Sequence, residues 1–275
     1  MLKLALIGMP VKHSIGKNVY DDLFKILKIT ASYELYEIEE PNLNKYIEYF
    51  IEYNFKGFNV TIPYKTIIVN YLNRLEKEAA FIRSVNNVVI EDKMLIGFNT
   101  DLTGIKKTLE LFSLNSFEYS CIIGAGGVAK AAIYALKDIS SKLFVIVRNK
   151  ERKIEILEIF ADIKNKIEFL EIENSKIPSI INRCDIIINC TPVGMFPNIN
   201  SSPIPLNYLS KENIVMDLVY NPIETKFIKH AKKLGCVTID GLWVFVFQLI
   251  ENMKIWFDID LDAYFVRNLS LKYLK

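Results

Sequence analysis

Histidine is nearly absent from this chain: His13 and His230 are the only two in 275 residues. Cysteine is scarce as well, and Cys121, Cys184, Cys190 and Cys236 are spaced so that no CxxC pair forms. Zinc needs a tighter His/Cys cluster, and a disulfide framework needs more cysteine in a shorter chain. The four cysteines therefore read as small buried apolar residues. Charge of one sign is also missing: 34 Lys and Arg stand against 32 Asp and Glu, a net charge of +2. That is too little for a nucleic-acid footprint or an anionic membrane surface, so any anion this protein holds is held by a local site. No apolar run approaches the ~20 residues of a membrane span. The opening run MLKLALIGMP meets Pro10 without a signal-peptide core or cleavage site. These absences predict a protein of the reducing cytoplasm, with no metal and no nucleic-acid or membrane partner.

What is present is ordinary for a globular chain, with 51% hydrophobic and 24% charged residues, and its length suits one large or two modest domains. Short β-type runs alternate with helical runs almost from end to end, the pattern of an α/β protein. The first part predicts strands at 2–7, 33–38 and 57–61, helices at 17–27 and 43–52, and a further helix after Pro63. Strands at 87–90 and 94–98 follow, joined by the polar turn Glu91-Asp92-Lys93, and then a helix to about Leu111. The second part predicts strands at 119–123, 143–147, 167–171, 185–189 and 214–218. Runs such as DIIIN and LFVIV are too continuously apolar for half-exposed strands and suit a parallel sheet covered on both faces. The tail predicts two helices, 242–257 and 261–274. Phe245, Gln248, Asn252 and Trp256 recur there at helical spacing, a face able to pack back on the first domain.

Gly124-x-Gly126-x-x-Ala129 lies between a predicted strand and a predicted helix. The first glycine permits a tight turn, and the second lets the backbone approach a pyrophosphate. The small third residue allows close helix–strand packing, and the helix N-terminus attracts the anion. A fold selecting NAD places Asp or Glu at the end of the next strand. Here that strand ends Val147-Arg148-Asn149, and Arg152 follows. Two guanidiniums suit the 2′-phosphate of NADP, each contact contributing roughly 1.5–3 kcal/mol before solvent losses. The plainer alternative is a solvated basic turn that includes Lys150 and Lys153.

The segments Asn59-Val60-Thr61-Ile62-Pro63-Tyr64-Lys65 and Gly97-Phe98-Asn99-Thr100-Asp101 place polar groups at strand ends, where α/β proteins put their chemistry. Taken alone, each is more simply a structural feature, with Asp101 an N-terminal cap and Lys65 a surface lysine. They do not stand alone. With Gly8-Met9-Pro10-Val11-Lys12-His13-Ser14, Val85-Asn86 and GAGGVAKAA from Gly124, the chain resembles the shikimate dehydrogenase family. Asn189-Cys190-Thr191-Pro192-Val193-Gly194-Met195, Asp217-Leu218-Val219-Tyr220-Asn221-Pro222, Gly241-Leu242 and Gln248 extend the likeness in the family's order across nearly the whole chain.

The resemblance implies two α/β domains: a substrate-binding catalytic domain at 1–101, completed by 243–275, and a Rossmann-type NADP-binding domain at 102–242 that it closes against. It implies reduction of 3-dehydroshikimate to shikimate with NADPH as the cofactor, and no metal. By position Lys65 and Asp101 match the catalytic pair. Ser14, Asn59, Thr61, Lys65, Asn86, Asp101, Tyr220 and Gln248 match substrate contacts. The cofactor would lie on Gly124, Ala125, Gly126, Gly127, Val128 and Ala129. Its adenosine phosphate would meet Arg148, Asn149 and Arg152, and Thr191, Val193, Met195, Leu218 and Gly241 would line its other side. The chemistry is consistent: reducing a ketone puts negative charge on oxygen, and a donor must stabilise that charge and deliver a proton. Lysine does so when burial and a carboxylate tune it. Lys65 is thus the expected acid in reduction and base in oxidation, with Asp101 holding lysine and substrate hydroxyl. Neutral amides and a hydroxyl at Asn59, Asn86, Gln248 and Thr61 suit a hydroxyl-rich substrate.

The chain departs from the family mainly at the substrate end. Gly16 stands where a second serine usually helps hold the substrate carboxylate, and Lys17 stands where proline is usual. Losing one donor to a charged acceptor costs on the order of 1.5–3 kcal/mol unless another group replaces it; Lys17 and Tyr33 are the two candidates. Arg83 and Ser84 replace Gly-Ala, Asn87 replaces threonine, and Trp243 is bulkier than the usual residue. The alternatives are a quinate/shikimate dehydrogenase using NAD or NADP, a relative acting on an amino-substituted analogue, and a regulatory protein that binds cofactor without catalysis. Monomer and homodimer both remain open.

Overall fold

The structure, a computed structural model, describes residues 1–148 and 150–274. The chain divides into two compact units, one of Met1–Thr100 with Gln248–Tyr273 and the other built on Asp101–Phe247. Among the described residues each unit holds one six-stranded sheet.

The first unit runs β1 (Leu2–Gly8), α1 (Gly16–Ile26), β2 (Ala31–Glu37), α2 (Leu43–Glu52), β3 (Gly57–Val60), β4 (Arg74–Leu75), α3 (Lys77–Ile82), β5 (Asn87–Glu91) and β6 (Met94–Phe98). Its sheet order is β2-β1-β3-β5-β6-β4. β1 pairs in parallel with β2 and β3, while β5 runs antiparallel between β3 and β6. β3 is buried along its length, and its Phe58 joins Phe50, Phe55, Leu43 and Val88 in the core. Among the described residues no α-helix directly follows Pro63, contrary to expectation. That stretch is turns and a short 3-10 helix at Ile68–Tyr71. The β-branched run Thr66-Ile67-Ile68-Val69 disfavours an α-helix, and its Ile68 is drawn into the core.

The second unit begins within α4 (Thr100–Leu111) and continues β7 (Phe117–Ile123), α5 (Gly127–Leu136), β8 (Ser140–Val147), α6 (Lys150–Ile159), β9 (Ile167–Glu171), α7 (Ile177–Arg183), β10 (Ile186–Asn189), β11 (Ile214–Asp217), α8 (Lys226–Leu234) and β12 (Val237–Ile239). Its strands are all parallel, in the order β12-β11-β10-β7-β8-β9. The chain builds outward from β7 in one direction, then returns to β10 and builds the other way. The carboxyl ends of β7 and β10 therefore form a topological switch point, where open α/β sheets bind ligands. The apolar runs predicted to be doubly covered are β8 and β10, and β10 is buried at every residue. Cys121, Cys184 and Cys236 belong to this unit's core, and all four cysteines are free and buried.

The tail is α9 (Leu242–Phe257) and α10 (Ala263–Leu271), the latter capped by Asp262. Of the predicted face of α9, Gln248, Asn252 and Trp256 belong to the first unit and Phe245 to the second. Trp256 donates to the Val88 carbonyl at 3.5 Å, whereas Phe245 lies against Tyr220 with ring centroids 5.0 Å apart. Trp243 packs between Phe112 and Phe247, which accounts for its bulk.

Candidate functional site

Strand direction assembles the polar residues of the first unit. β1, β3 and β6 end at the same sheet edge, and antiparallel β5 begins there. The segments leaving β1, β3 and β6, and the one entering β5, carry Ser14, Thr61, Asn99-Thr100 and Asn86 respectively, with Asn59 inside β3 opposite Asn87. Lys65 follows Thr61 in the turns and is half-buried. Its carbonyl accepts from the Val85 N–H at 2.8 Å, tying the lysine segment to the residue before Asn86. Gln248 is half-buried on α9 in the same unit. Asp101 lies within the first turn of α4 rather than at its cap, buried to 3% exposure at a helix end that favours a carboxylate.

Of these groups, Asn59, Asn86 and Thr100 are held by a buried amide network. The Tyr33 hydroxyl donates to Asn59 Oδ1 at 2.8 Å, and Asn59 Nδ2 donates to the Asn86 carbonyl at 3.0 Å. Asn86 Oδ1 accepts from the Thr100 N–H at 2.6 Å, while Asn86 Nδ2 donates to Thr100 Oγ1 at 3.0 Å. Asn252, unremarked in the sequence beyond its helical spacing, accepts from Thr100 Oγ1 at 2.9 Å and from Asn87 Nδ2 at 2.7 Å. The signal that could have found it is its place one turn beyond Gln248.

Neither candidate substitute for the second serine is available for that role. Lys17 Nζ is engaged by the Tyr33 carbonyl and Glu34 at 3.0 Å and by Asp21 at 3.3 Å. Tyr33 is buried, stacked on Tyr20 at 4.2 Å, with its hydroxyl on Asn59. The Gly16 N–H instead donates to Ser14 Oγ at 3.1 Å, orienting the one serine that remains.

In the second unit the glycine turn sits at the switch point. Gly124 has φ +114°, a conformation L side chains rarely adopt, and a Cβ there would stand 3.0 Å from Thr191 Cγ2. Gly126 is extended, and a Cβ on it would meet nothing within 4 Å. Ala129 is fully buried where α5 packs. Among the described residues no side chain caps α5, which leaves its first-turn N–H groups able to face a ligand. A pyrophosphate fits such a turn: the backbone can be approached at Gly126, and the helix end favours an anion. Ala125, Gly127 and Val128 complete the turn and are half-buried.

Arg148 is exposed immediately after β8, and Asn149 lies outside the described residues. Arg152 Nη1 bonds Glu155 at 3.0 Å, and the other oxygen of Glu155 takes the ammonium of Lys130, whose side chain is fully buried on α5. On the other side of the switch point, the Thr191 N–H and Oγ1 both donate to Asn189 Oδ1, at 3.0 and 2.7 Å. Asn189 Nδ2 donates to Asp217 Oδ1 at 2.8 Å. Asp217 also accepts from Val219 N–H at 3.0 Å and Thr225 Oγ1 at 2.6 Å. Its burial raises the carboxyl to about 6 from its ordinary 3.8, against the pull of these donors. Burial, with Asp217 and Asp101 nearby, likewise pushes the Cys190 thiol up, so it stays neutral. Val193 is half-buried and Met195 exposed on the following loop. Leu218 and Tyr220 follow β11, and Gly241 immediately precedes α9.

Comparison with known proteins agrees with both halves. Residues 6–88 match the family model described as the shikimate dehydrogenase substrate binding domain. The chain is 36% identical to shikimate dehydrogenase (NADP(+)) of Pyrococcus abyssi, covering 98% of this chain and 97% of that one. It is 38% identical to the protein of the same name from Methanococcus maripaludis, covering 96% and 95%. A crystal structure of shikimate dehydrogenase in complex with NADP+ superposes with a TM-score of 0.90 at 32% identity, covering 100% of this chain and 96% of that one.

Proposed function

The chain belongs to the shikimate dehydrogenase family, and on that premise we propose that it reduces 3-dehydroshikimate to shikimate, reversibly, with NADPH. The observation that carries the reading is the Gly124–Ala129 turn at the switch point of a parallel sheet, in a chain of this family. The first unit is the substrate domain and the second the cofactor domain. The enzyme works on a small molecule in the cytoplasm, as a monomer or homodimer to be told apart by sedimentation. No helix among the described residues is long and apolar enough to cross a membrane.

When bound, the reduced dinucleotide supplies the hydride. The turn from Gly124 to Ala129 and the first-turn N–H groups of α5 would hold its pyrophosphate. Arg148 and Arg152, with Asn149, would take the 2′-phosphate, and Thr191, Val193, Met195, Leu218 and Gly241 would line the remainder. As negative charge grows on the substrate carbonyl oxygen, the Lys65 ammonium stabilises it and gives up a proton. In the reverse direction Lys65 takes that proton back. Asp101 accepts from a substrate hydroxyl. Ser14 holds the substrate carboxylate, while Asn59, Thr61, Asn86, Tyr220 and Gln248 bind the rest.

The test is initial rates with shikimate and with quinate, each with NADP and with NAD, for the wild type and Lys65→Ala. Turnover favouring shikimate with NADP, lowered about 10²–10⁴-fold by Lys65→Ala, is expected. Preference for quinate or NAD would overturn the substrate or cofactor assignment. A Lys65→Ala enzyme with its turnover number intact would remove the lysine from the chemistry.

A further inference from the structure

We infer that Asn252 is a positioning residue for the substrate: by accepting from Thr100 Oγ1 and donating to Asn59 Oδ1 it holds the side-chain amides of Asn59 and Asn86 in the sense that fixed backbone groups give them, so that each offers an N–H, not a carbonyl, to the bound molecule. The inference rests on the reading of Asn59 and Asn86 as substrate contacts. Its chain of logic begins at a group that cannot be turned round. The Thr100 backbone N–H donates to Asn86 at 2.6 Å, so the atom of Asn86 facing it is the carbonyl oxygen. The amide nitrogen of Asn86 then faces Thr100 Oγ1, at 3.0 Å. With that bond accepted, the Thr100 hydroxyl is left to donate, and its nearer acceptor is Asn252 Oδ1 at 2.9 Å rather than Asn86 Oδ1 at 3.3 Å.

Asn252 is therefore polarised with its carbonyl toward Thr100 and Asn87 and its amide nitrogen toward Tyr20 and Asn59. The nitrogen lies 3.0 Å from the Tyr20 hydroxyl and 3.4 Å from Asn59 Oδ1. Asn59 Oδ1 also accepts from Tyr33, so turning its amide would set nitrogen against two donors. A second fixed group confirms the sense from the far end: Asn59 Nδ2 donates to the Asn86 backbone carbonyl at 3.0 Å. Each of the two amides has two N–H groups and one acceptor among the described residues, leaving one N–H on each for a substrate oxygen. Gln248, one helical turn before Asn252, shares its face of α9. The two amides thus discriminate in favour of ligands whose oxygens accept at both positions.

The experiment compares wild type with Asn252→Leu and Tyr33→Phe, reading kcat, both KM values and thermal melting. Tyr33→Phe removes one donor to Asn59 Oδ1 and keeps the ring on Tyr20. In each variant the KM for shikimate should rise about threefold to tenfold, the worth of one neutral hydrogen bond. The kcat and the KM for NADP should stay within about twofold. The wild-type penalty for a deoxy analogue of shikimate should shrink in both. An unchanged KM for shikimate with a lowered melting temperature would make Asn252 merely structural and overturn the inference, as would loss of kcat and of NADP affinity together. If Asn252→Leu does not fold, Asn252→Asp, which keeps the acceptor facing Thr100 and Asn87 and loses the donor facing Asn59, decides by the same criteria. Failure of the underlying reading would show differently, as a wild-type enzyme that does not turn over shikimate.

Discussion

Deleting the hydroxyl of Ser84 should make the protein more stable. Ser84 is 0% exposed, and its Oγ has no hydrogen-bond partner among the described residues. A buried hydroxyl left unpaired costs about 1–3 kcal/mol. The backbone at Ser84 is well used: its carbonyl accepts from Asn99 Nδ2 at 2.8 Å and its N–H reaches the Ala79 carbonyl at 3.4 Å. Ser84→Ala keeps both bonds and should recover about 1–2 kcal/mol. The residue before it adds a second increment. Arg83 ends α3 in the left-handed region, at φ +48° and ψ +47°, a conformation that costs a residue with a Cβ about 1–2 kcal/mol. Glycine avoids that cost and loses about 0.5–1 kcal/mol in chain entropy, so Arg83→Gly should gain about 0.5–1 kcal/mol. The sites are adjacent, so about 3 kcal/mol for the pair is an upper sum, equivalent to roughly 6–12 °C for a chain of this size. Scanning calorimetry of the two single variants and the double variant reads this directly, and the kinetic constants should stay within twofold because no side chain placed in the site is touched. A Ser84→Ala protein that melts at or below the wild-type temperature would refute the reasoning, since it would mean the hydroxyl is satisfied after all.

Gly126→Ala should fold normally, because the backbone is extended and a Cβ there meets nothing; yet the KM for NADP should rise at least tenfold, since the methyl group takes the pyrophosphate's approach. An unchanged KM in kinetic assays would count against the turn as the cofactor site. Asp217 has a folded-state value, about 6, above its ordinary 3.8, so the folded chain holds this proton more tightly than the unfolded one. Its contribution to stability is therefore greatest below about pH 4 and falls as pH rises through 6, by at most about 3 kcal/mol. Asp217→Asn should accordingly gain on wild type in urea melts between pH 4.5 and 7.5, and a pH-independent difference would rule this out. Glu155→Gln should destabilise by about 1–2 kcal/mol, because it exchanges a charge-assisted bond to the buried Lys130 ammonium for a neutral one; equal urea midpoints would show that the carboxylate charge contributes nothing there.

The features legible in the sequence were those with a local cause. The glycine turn is one, since a positive φ at Gly124 and a small residue at Ala129 are demands of a few consecutive positions. The doubly covered strands β8 and β10 are another, because continuous apolar runs of that length have few other uses. The stretch after Pro63 misled because helix and turn differ little over so few residues, and the β-branched run decided for the turn. The amide network was not legible: the bonds of Asn252 join it to partners 152 to 232 positions away in the chain. Nothing near Asn252 in the sequence hints at Tyr20 or Asn59. Lys17 and Tyr33 stand in the sequence as candidates to replace the second serine for the same reason, because Glu34, Asp21 and Asn59 claim them only once α1 and β2 lie side by side.

The two units solve the same physical problem with the same device. Loops that carry reactive groups must be ordered, and a loop offers little apolar surface with which to order itself. In the first unit one buried amide, Asn252, joins groups from α1, β3, β5 and the start of α4. In the second, Asn189 and Asp217 tie the loop after β10 to the loop after β11, through the Thr191 backbone on one side and Val219 and Thr225 on the other. Such networks stabilise only when every member is satisfied, and here they are not. Asn87 Oδ1 has no partner among the described residues, and the Asp217 carboxylate is buried against its own ionisation. A core chosen for stability alone would have placed apolar side chains at these positions. That polar groups stand there at a cost, at strand ends bearing the proposed site residues, argues that they are there for what they hold in place.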